Sequence, residues 1–348
     1  MTEDVKEKLW IQDRINYNQH WHENNVWKSQ LQKDLDTYLA KHNLKQILNP
    51  CLVLPNTYQV LSNPQNADID KIFSIILDIY EELPYRPDMA FDLCWRPFEI
   101  LIGKYLKSIK SDNKSTNKNI LTISEKVFIP LYNNNKQIKN LINRIIDEMP
   151  ISAINFCLNK IANNPNITRN ATPEELSSDY SLNEDNSQVY FIKERIKIAL
   201  GDTLYNTIVN KYFNEEFQRN LNNGNDCLIA PTMHNAVLAF KNYILKVGKQ
   251  FDGIEIPIER KLALVIGILY TSRNNRFHGD NFSHFKSNRS KLKNYKEFYY
   301  FLTTNFFLLW TLLYKYLEKN KIEQFIDINE IVNSINISFD NMKDLEKT

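Results

Sequence analysis

The stretch that most constrains the fold of this chain is Leu262–Gly279, LALVIGILYTSRNNRFHG. For about three turns it is apolar on nearly every side, which is typical of a helix in the middle of a bundle. One face carries residues at helical intervals of four, three and four positions: Leu262, Ile266, Leu269 and Arg273. Charged groups are almost never fully buried without a partner. We therefore expect Arg273 either to contact an anion or to emerge into a cleft.

The end of this predicted helix brings a permanent cation close to a titratable group. Gly279 suits a C-cap position, and a frayed last turn would let His278 turn back toward Arg273. A guanidinium stays charged, whereas an imidazole titrates near neutrality. Together the two groups suit the handling of a phosphate. The alternative is an arginine that extends to solvent beside a surface histidine.

The pattern Arg273-Asn274-x-x-x-His278 resembles the signature of the HEPN superfamily, an arginine and a polar residue followed a few positions later by a histidine. HEPN domains are small all-helical bundles. Many are metal-independent endoribonucleases of toxins, antiviral defence systems and CRISPR effectors. The resemblance covers about residues 189–320, and it implies a homodimer in which two such motifs form a composite site.

The resemblance also implies a role for each residue of the motif. His278 would be the general base on a ribose 2′-OH, or the general acid on the leaving 5′-oxygen. Arg273 would neutralise the charge that develops on the phosphorane. Asn274 would position the phosphate or orient His278, and Arg276 would support Arg273 in binding the substrate.

The loop after the motif is basic and carries aromatic residues, as RNA-binding surfaces often do. Phe282, His284 and Phe285 are interleaved with cations in this loop. The cations proposed to bind substrate are Lys286, Arg289 and Lys291. A solvated surface loop would have the same composition, and both interpretations stay open.

Composition excludes several other classes of protein. Only 7 glycines occur among 348 residues, and neither a phosphate-binding P-loop pattern nor a dinucleotide-binding G-x-G-x-x-G is found. The net charge of +2 requires any nucleic-acid site to be a local patch. No cluster of Asp and Glu accompanies the motif, so we expect neither a metal nor another cofactor.

The expected location is the cytoplasm. The beginning, MTEDVKEKLW, has no apolar segment of the kind found in secretion signals. The four cysteines contain no C-x-x-C pair and are predicted to be reduced core residues of a cytosolic protein: Cys51, Cys94, Cys157 and Cys227.

Helical spacing over most of the chain predicts an all-α fold with two domains. An N-terminal helical domain is predicted for 1–162 and a HEPN-like bundle for 189–348. Between them, 163–188 reads as a polar linker that is rich in Asn, Ser and Asp. A short strand is considered for Val127–Pro130.

The apolar segment Phe298–Leu317 is nearly long enough to cross a bilayer. Because Thr303, Thr304 and Asn305 lie near its middle, we interpret it as a buried helix in a bundle and a dimer interface, with no stable membrane insertion. Together with Leu262–Leu269 it carries more apolar surface than one small bundle is expected to bury, which favours a homodimer.

The function predicted from these patterns is RNA cleavage by 2′-OH attack, in a toxin or antiviral defence role. The expected partners are RNA, a second copy of the chain, and an antitoxin or other defence-system subunit. Two alternatives remain. The domain could be a non-catalytic HEPN module that binds RNA, a nucleotide or a protein, or the chain could be a helical scaffold or membrane-associated defence subunit.

Overall fold

The computed structural model describes residues 28–49, 67–111, 116–163, 186–277, 291–322 and 326–345. Over these ranges the chain is almost entirely helical, which confirms the predicted all-α class. Its only strands in these ranges are β1 (Gln250–Phe251) and β2 (Ile254–Glu255), which form a small antiparallel hairpin with Gln250 opposite Glu255. Sequence spacing did not indicate this hairpin.

In chain order the α-helices are α1 (Gln30–Lys41), α2 (Ala67–Glu82), α3 (Pro87–Ser108), α4 (Thr116–Ile123), α5 (Ile129–Asn134), α6 (Lys136–Asp147), α7 (Ile151–Asn163), α8 (Asn186–Leu200), α9 (Asp202–Tyr212), α10 (Glu215–Asn222), α11 (Asp226–Ala239), α12 (Ile258–Phe277), α13 (Leu292–Asn320) and α14 (Ile328–Asn341). Two π-helical segments, Ser124–Phe128 and Phe240–Leu245, follow α4 and α11.

The chain forms two compact units. Unit 1 consists of Met1–Tyr105 and Asn275–Thr348, and unit 2 consists of Leu106–Asn274. Helices α7 and α8, on either side of the predicted linker, both belong to unit 2 and pack against each other. Of the predicted linker at 163–188, residues 164–185 lie outside the described residues, so the predicted domain boundaries stay a prediction.

In unit 1, α13 is buried along most of its length. All residues from Phe298 to Leu313 are buried. The Tyr299 hydroxyl donates a hydrogen bond of 2.8 Å to the main-chain oxygen of Pro84. In the described ranges no helix has both the length and the apolar content needed to span a membrane. The interpretation of this segment as a buried helix is confirmed.

The apolar surface that favoured a dimer is covered by the chain itself. Leu262, Ile266 and Leu269 on α12 are each 0% exposed, as is Phe306 on α13. An apolar excess on these two helices therefore no longer supports a dimer. The homodimer stays a prediction that depends on the HEPN resemblance.

Two local predictions in unit 2 were wrong. The considered strand at Val127–Pro130 is the end of a π-helical segment and the start of α5, because a short apolar run does not distinguish a strand from a buried helix. The length and spacing of 201–219 predict one helix, but the structure divides this segment into α9 and α10. There Asn214 caps α10 by accepting a 3.0 Å hydrogen bond from the Phe217 amide.

The thiols follow the prediction only in part. Cys94 and Cys157 are buried and free, as expected for reduced core residues. Cys227 is exposed near the start of α11, so its assignment to the core was wrong. Cys51 lies outside the described residues.

Candidate functional site

Helix α12 carries Arg273 and Asn274, the first two residues of the predicted motif, near its C-terminal end. Its apolar face begins with Leu262 and continues through Ile266 and Leu269, all fully buried. Arg273, next on this face, is half-buried, and so is Asn274. The predicted ending of a buried face in a guanidinium is therefore observed.

Arg273 and Asn274 are held side by side. Arg273 Nη1 donates a 3.1 Å hydrogen bond to Oδ1 of Asn274. The carboxamide oxygen of Asn274 therefore faces the guanidinium of Arg273. The amide nitrogen is the other polar atom of the same carboxamide. A permanent positive charge and a hydrogen-bonding amide are adjacent at the end of a buried helix.

The other predicted site residues are described only in part. His278, Lys286 and Arg289 lie outside the described residues. Arg276 belongs to α12, but its side chain is not among those described. Lys291 is exposed in unit 1, where its amide donates a 3.0 Å hydrogen bond to Oδ1 of Asn294 at the start of α13.

Sequence reasoning missed a second arginine, Arg195 on α8, which contacts the turn of α12 just before Arg273. Its Nη1 donates a 2.7 Å hydrogen bond to Oγ1 of Thr271. Its guanidinium carbon lies 4.2 Å from the centre of the Tyr270 ring, a cation–π distance. Its Nε donates a 2.9 Å hydrogen bond to Oδ1 of Asn117 on α4.

Arg195 is buried together with its partners. It is 8% exposed, and Asn117 and Thr271 are 7% and 2% exposed. Among the described residues no carboxylate forms an ion pair with it; Glu194 is connected to it through Asn117, whose Nδ2 donates a 3.3 Å hydrogen bond to Glu194. Thr271 Oγ1 in turn donates to the Gly267 oxygen at 2.8 Å. One cation thus joins α4, α8 and α12.

Burial changes the acid–base behaviour of this cluster but not the charge of Arg195. Burial lowers the pKa of Arg195 to about 10, while Tyr270, Cys157 and Glu194 oppose that change. The guanidinium therefore stays protonated at neutral pH. Burial raises the pKa of Cys157 to about 12 despite the nearby charge of Arg195, so this thiol stays protonated as well.

The two clefts described in unit 2 are not built around the motif. A small one beside Arg195, with Asn117 and Gly267 in its wall, has room for only about one water molecule. A larger open cleft of about 550 Å³ lies between α9 and α10, with Phe213 and Arg219 among its lining residues. Arg273 and Asn274 line neither of them.

A sequence signal for Arg195 does exist. Arg195 stands beside the buried Ile196 and four residues before the buried Ala199, so it occupies the apolar face of α8. A charged residue in that position is predicted to need polar partners. Which partners it finds depends on how α4 and α12 pack, and spacing within one helix does not show this.

Comparison with known proteins adds no assignment: no family model matches this chain, and neither do any curated protein sequences or any solved structures.

Proposed function

We propose that this chain is a metal-independent endoribonuclease of the HEPN type. The observation that supports the proposal most directly lies near the end of α12, where the buried face of the helix ends in adjacent, half-buried Arg273 and Asn274. In the sequence these residues are followed, at the HEPN spacing, by His278. A cation at the end of a buried helix suits the stabilisation of charge on a phosphate.

In the proposed reaction the substrate supplies its own nucleophile. His278 accepts the proton of a ribose 2′-OH, and O2′ forms a bond to the adjacent phosphorus. The bond from phosphorus to O5′ breaks, and the leaving oxygen takes a proton from a general acid, for which a second imidazole is suited. Arg273 stabilises the additional negative charge on the phosphorane, and Asn274 orients the phosphate.

The broader parts of the proposal depend on the HEPN resemblance alone. They are a homodimer with a composite site, a toxin or antiviral defence role in the cytoplasm, and control by an antitoxin or another defence-system subunit. RNA binding by Arg276, Lys286, Arg289 and Lys291 is proposed from the basic character of the region that follows Arg273.

The test is cleavage of total cellular RNA by the purified chain, with Arg273→Ala and His278→Ala alongside. We expect kcat to fall by about 10²–10³-fold in Arg273→Ala, as when one charge-stabilising group is lost. We expect kcat to fall by about 10²–10⁴-fold in His278→Ala, because proton transfer is lost. Arg276→Ala should lower kcat less, since Arg276 only supports Arg273 in binding the substrate.

Matched controls come from exposed residues of the same types in unit 2. Arg219→Ala removes one positive charge from the exposed side of α10, and His234→Ala removes one exposed imidazole from α11. Both should retain full activity. All variants should keep the wild-type melting temperature within a few degrees. If Arg273→Ala unfolded the chain, the arginine would be structural and the site assignment wrong.

A different pattern would favour a non-catalytic HEPN module. In that case the wild-type chain would bind RNA with an affinity that depends on Arg273, yet leave the RNA intact over long incubation at high enzyme concentration. Absence of both binding and cleavage would leave the scaffold alternative.

A further inference from the structure

We propose that Arg195 is a positioning residue of this ribonuclease site, which orders the last turn of α12 and thereby places Arg273 and Asn274. The inference rests on the proposed function for its catalytic consequence. Its structural part rests on contacts within unit 2, where Arg195, Thr271 and Tyr270 form one buried cluster.

The geometry of an α-helix connects this cluster to the motif. Successive residues are about 100° apart around the axis, so Tyr270 lies within about 60° of both Arg273 and Asn274. Helical side chains also lean toward the N-terminus, which carries those of Arg273 and Asn274 over the turn that contains Tyr270. The guanidinium carbon of Arg195 lies 4.2 Å from the centre of the Tyr270 ring, so Arg195 contacts this same turn.

The second contact fixes the rotation of the turn. Thr271 Oγ1 receives the 2.7 Å hydrogen bond from Arg195 and itself donates to the oxygen of Gly267. The third contact, to Asn117 on α4, fixes the guanidinium plane from outside α12. The planar guanidinium of Arg195 uses two nitrogens for hydrogen bonds and one face for the ring contact, so it has little freedom to rotate. The turn before Arg273 is therefore anchored to two other helices.

Arg195 is unsuited to bind RNA phosphate itself. It is 8% exposed, and the cleft beside it has room for only about one water molecule. A phosphate contact releases counterions and makes affinity depend on salt, whereas a buried positioning residue does not. This difference separates the two roles by experiment.

The main experiment compares Thr271→Val with Thr271→Ser. Valine keeps the shape of threonine but removes the oxygen that accepts from Arg195, whereas serine retains it. Thr207→Val is the matched control, because the Thr207 hydroxyl on α9 also donates to an oxygen four residues back, at 2.9 Å. Arg195→Met and Arg195→Lys complete the series, with Lys241→Met as a control that removes a different, partly buried cation in unit 2.

The first measurement is amide hydrogen exchange of peptides that cover the end of α12, and it does not depend on activity. We expect exchange there to rise about tenfold in Thr271→Val and Arg195→Met, because opening of that turn becomes easier. Thr271→Ser, Thr207→Val and Lys241→Met should leave this segment unchanged. Equal increases throughout unit 2, or none at the end of α12, would overturn the inference.

The second measurement is steady-state RNA cleavage. Displacement of a catalytic group by about 1 Å costs about a hundredfold in rate, so we expect kcat to fall ten- to a hundredfold in Thr271→Val with KM nearly unchanged. Serine should restore kcat, and Arg195→Lys should be intermediate because lysine lacks the planar fork. The salt dependence of RNA binding should not change.

The two measurements distinguish failure of the inference from failure of the proposed function. A wild-type chain that does not cleave RNA would refute the proposed function, while hydrogen exchange would still decide whether Arg195 orders the turn. If cleavage occurs and kcat in Thr271→Val falls no further than in Thr207→Val, Arg195 is not a positioning residue. If Arg195→Met does not fold, the two Thr271 variants decide the outcome.

Discussion

The guanidinium of Arg260 occupies the space that a side chain at Gly201 would need. A β-carbon placed on Gly201 would lie 2.9 Å from Arg260 Nη1. The same nitrogen donates hydrogen bonds of 3.4 Å to the main-chain oxygens of Ile198 and Ala199. These oxygens belong to the last turn of α8, which lacks donors within the helix. Gly201 thus permits Arg260 to stabilise the end of the helix that carries Arg195.

We predict that Gly201→Ala destabilises the chain by about 2 kcal/mol, because two penalties act together. The backbone at Gly201 has φ +83° and ψ 156°, a region that is almost exclusive to glycine. The added methyl group would also force Arg260 away from the oxygens of α8. The free energy of unfolding, from urea denaturation, measures the effect.

Gly103→Ala is the matched control. Gly103 lies inside α3, and a β-carbon there would meet no atom within 4 Å. Alanine at such a helical position should stabilise the chain by about 0.5–1 kcal/mol. If the two substitutions changed stability in the same direction, the role assigned to Gly201 would be wrong.

A second prediction concerns Lys241, a partly buried lysine in unit 2. Its Nζ donates to the main-chain oxygens of Asp147 and Met149, at 2.5 and 2.6 Å. Burial lowers its pKa from 10.5 to about 8, although Asp147 and Glu148 oppose the change. Between these two values the folded chain binds fewer protons at Lys241 than the unfolded chain does. The contribution of Lys241 to stability therefore rises with pH across this window.

Comparison of wild type with Lys241→Met isolates this effect, because other titrating groups cancel in the difference. From pH 7.5 to pH 10 we expect the difference in unfolding free energy to move in favour of wild type by on the order of 1 kcal/mol, with allowance for partial exposure. Urea denaturation at both pH values provides the measurement. A difference that is constant or moves the other way would contradict the lowered pKa.

The central helix of the site was predictable because its pattern is local. Four residues at helical spacing, ending in Arg273, were sufficient to predict both the buried face of α12 and its charged end. A buried face that continues for three turns can be predicted from the residues of that helix alone, without knowledge of the helices that pack against it. The half-buried position of Arg273 then follows from the cost of burying its charge completely.

The remainder of the site depends on tertiary packing and was missed for that reason. Arg195 and Asn117 are 78 positions apart in the sequence, and their contact forms only when α4 and α8 pack together. The break between α9 and α10 depends on one side-chain cap at Asn214. Helical periodicity gives no information on either.

A third prediction concerns the reactivity of the described thiols. Burial raises the pKa of Cys157 to about 12 and that of Cys94 well above its ordinary value, so neither forms the reactive thiolate near pH 8. Cys227 is exposed. Iodoacetamide at pH 8 should alkylate Cys227 in the native chain and reach Cys94 and Cys157 only in denaturant.

Peptide mass spectrometry identifies the modified sites, and Cys227→Ser controls for unspecific labelling. Rapid native labelling of Cys157 would show that the Arg195 cluster opens readily, which would also weigh against its positioning role.

A fourth prediction concerns the basic segment that follows the motif. If Arg289 contacts an RNA phosphate, Arg289→Ala should weaken binding modestly and reduce the slope of log affinity against log salt by about 0.7–1. Lys291→Ala should behave similarly, whereas Arg219→Ala on α10 should leave the slope unchanged. Fluorescence anisotropy with a short RNA over a range of salt concentrations supplies the slopes. Identical slopes in all three variants would indicate a solvated loop without RNA contacts.

The last prediction concerns the chemistry of the cut. If the attacking group is the ribose 2′-OH, as proposed, the products should carry a 2′,3′-cyclic phosphate or 3′-phosphate on one fragment and a 5′-hydroxyl on the other. A single 2′-deoxy residue at the cut position should prevent cleavage with little change in binding, since only the nucleophile is removed.

The proposed catalytic groups determine the metal dependence that we expect of this cut. Arg273 and His278 can stabilise charge and transfer protons, but they do not generate a metal-bound hydroxide. Activity should therefore persist in excess EDTA, with products identified by their response to end-specific phosphatase and kinase treatment. Activity that disappears in EDTA and returns with Mg²⁺ or Mn²⁺, or fragments with a 5′-phosphate, would contradict 2′-OH attack. Either result would assign the cleavage to a hydrolytic mechanism in which His278 does not act on the ribose.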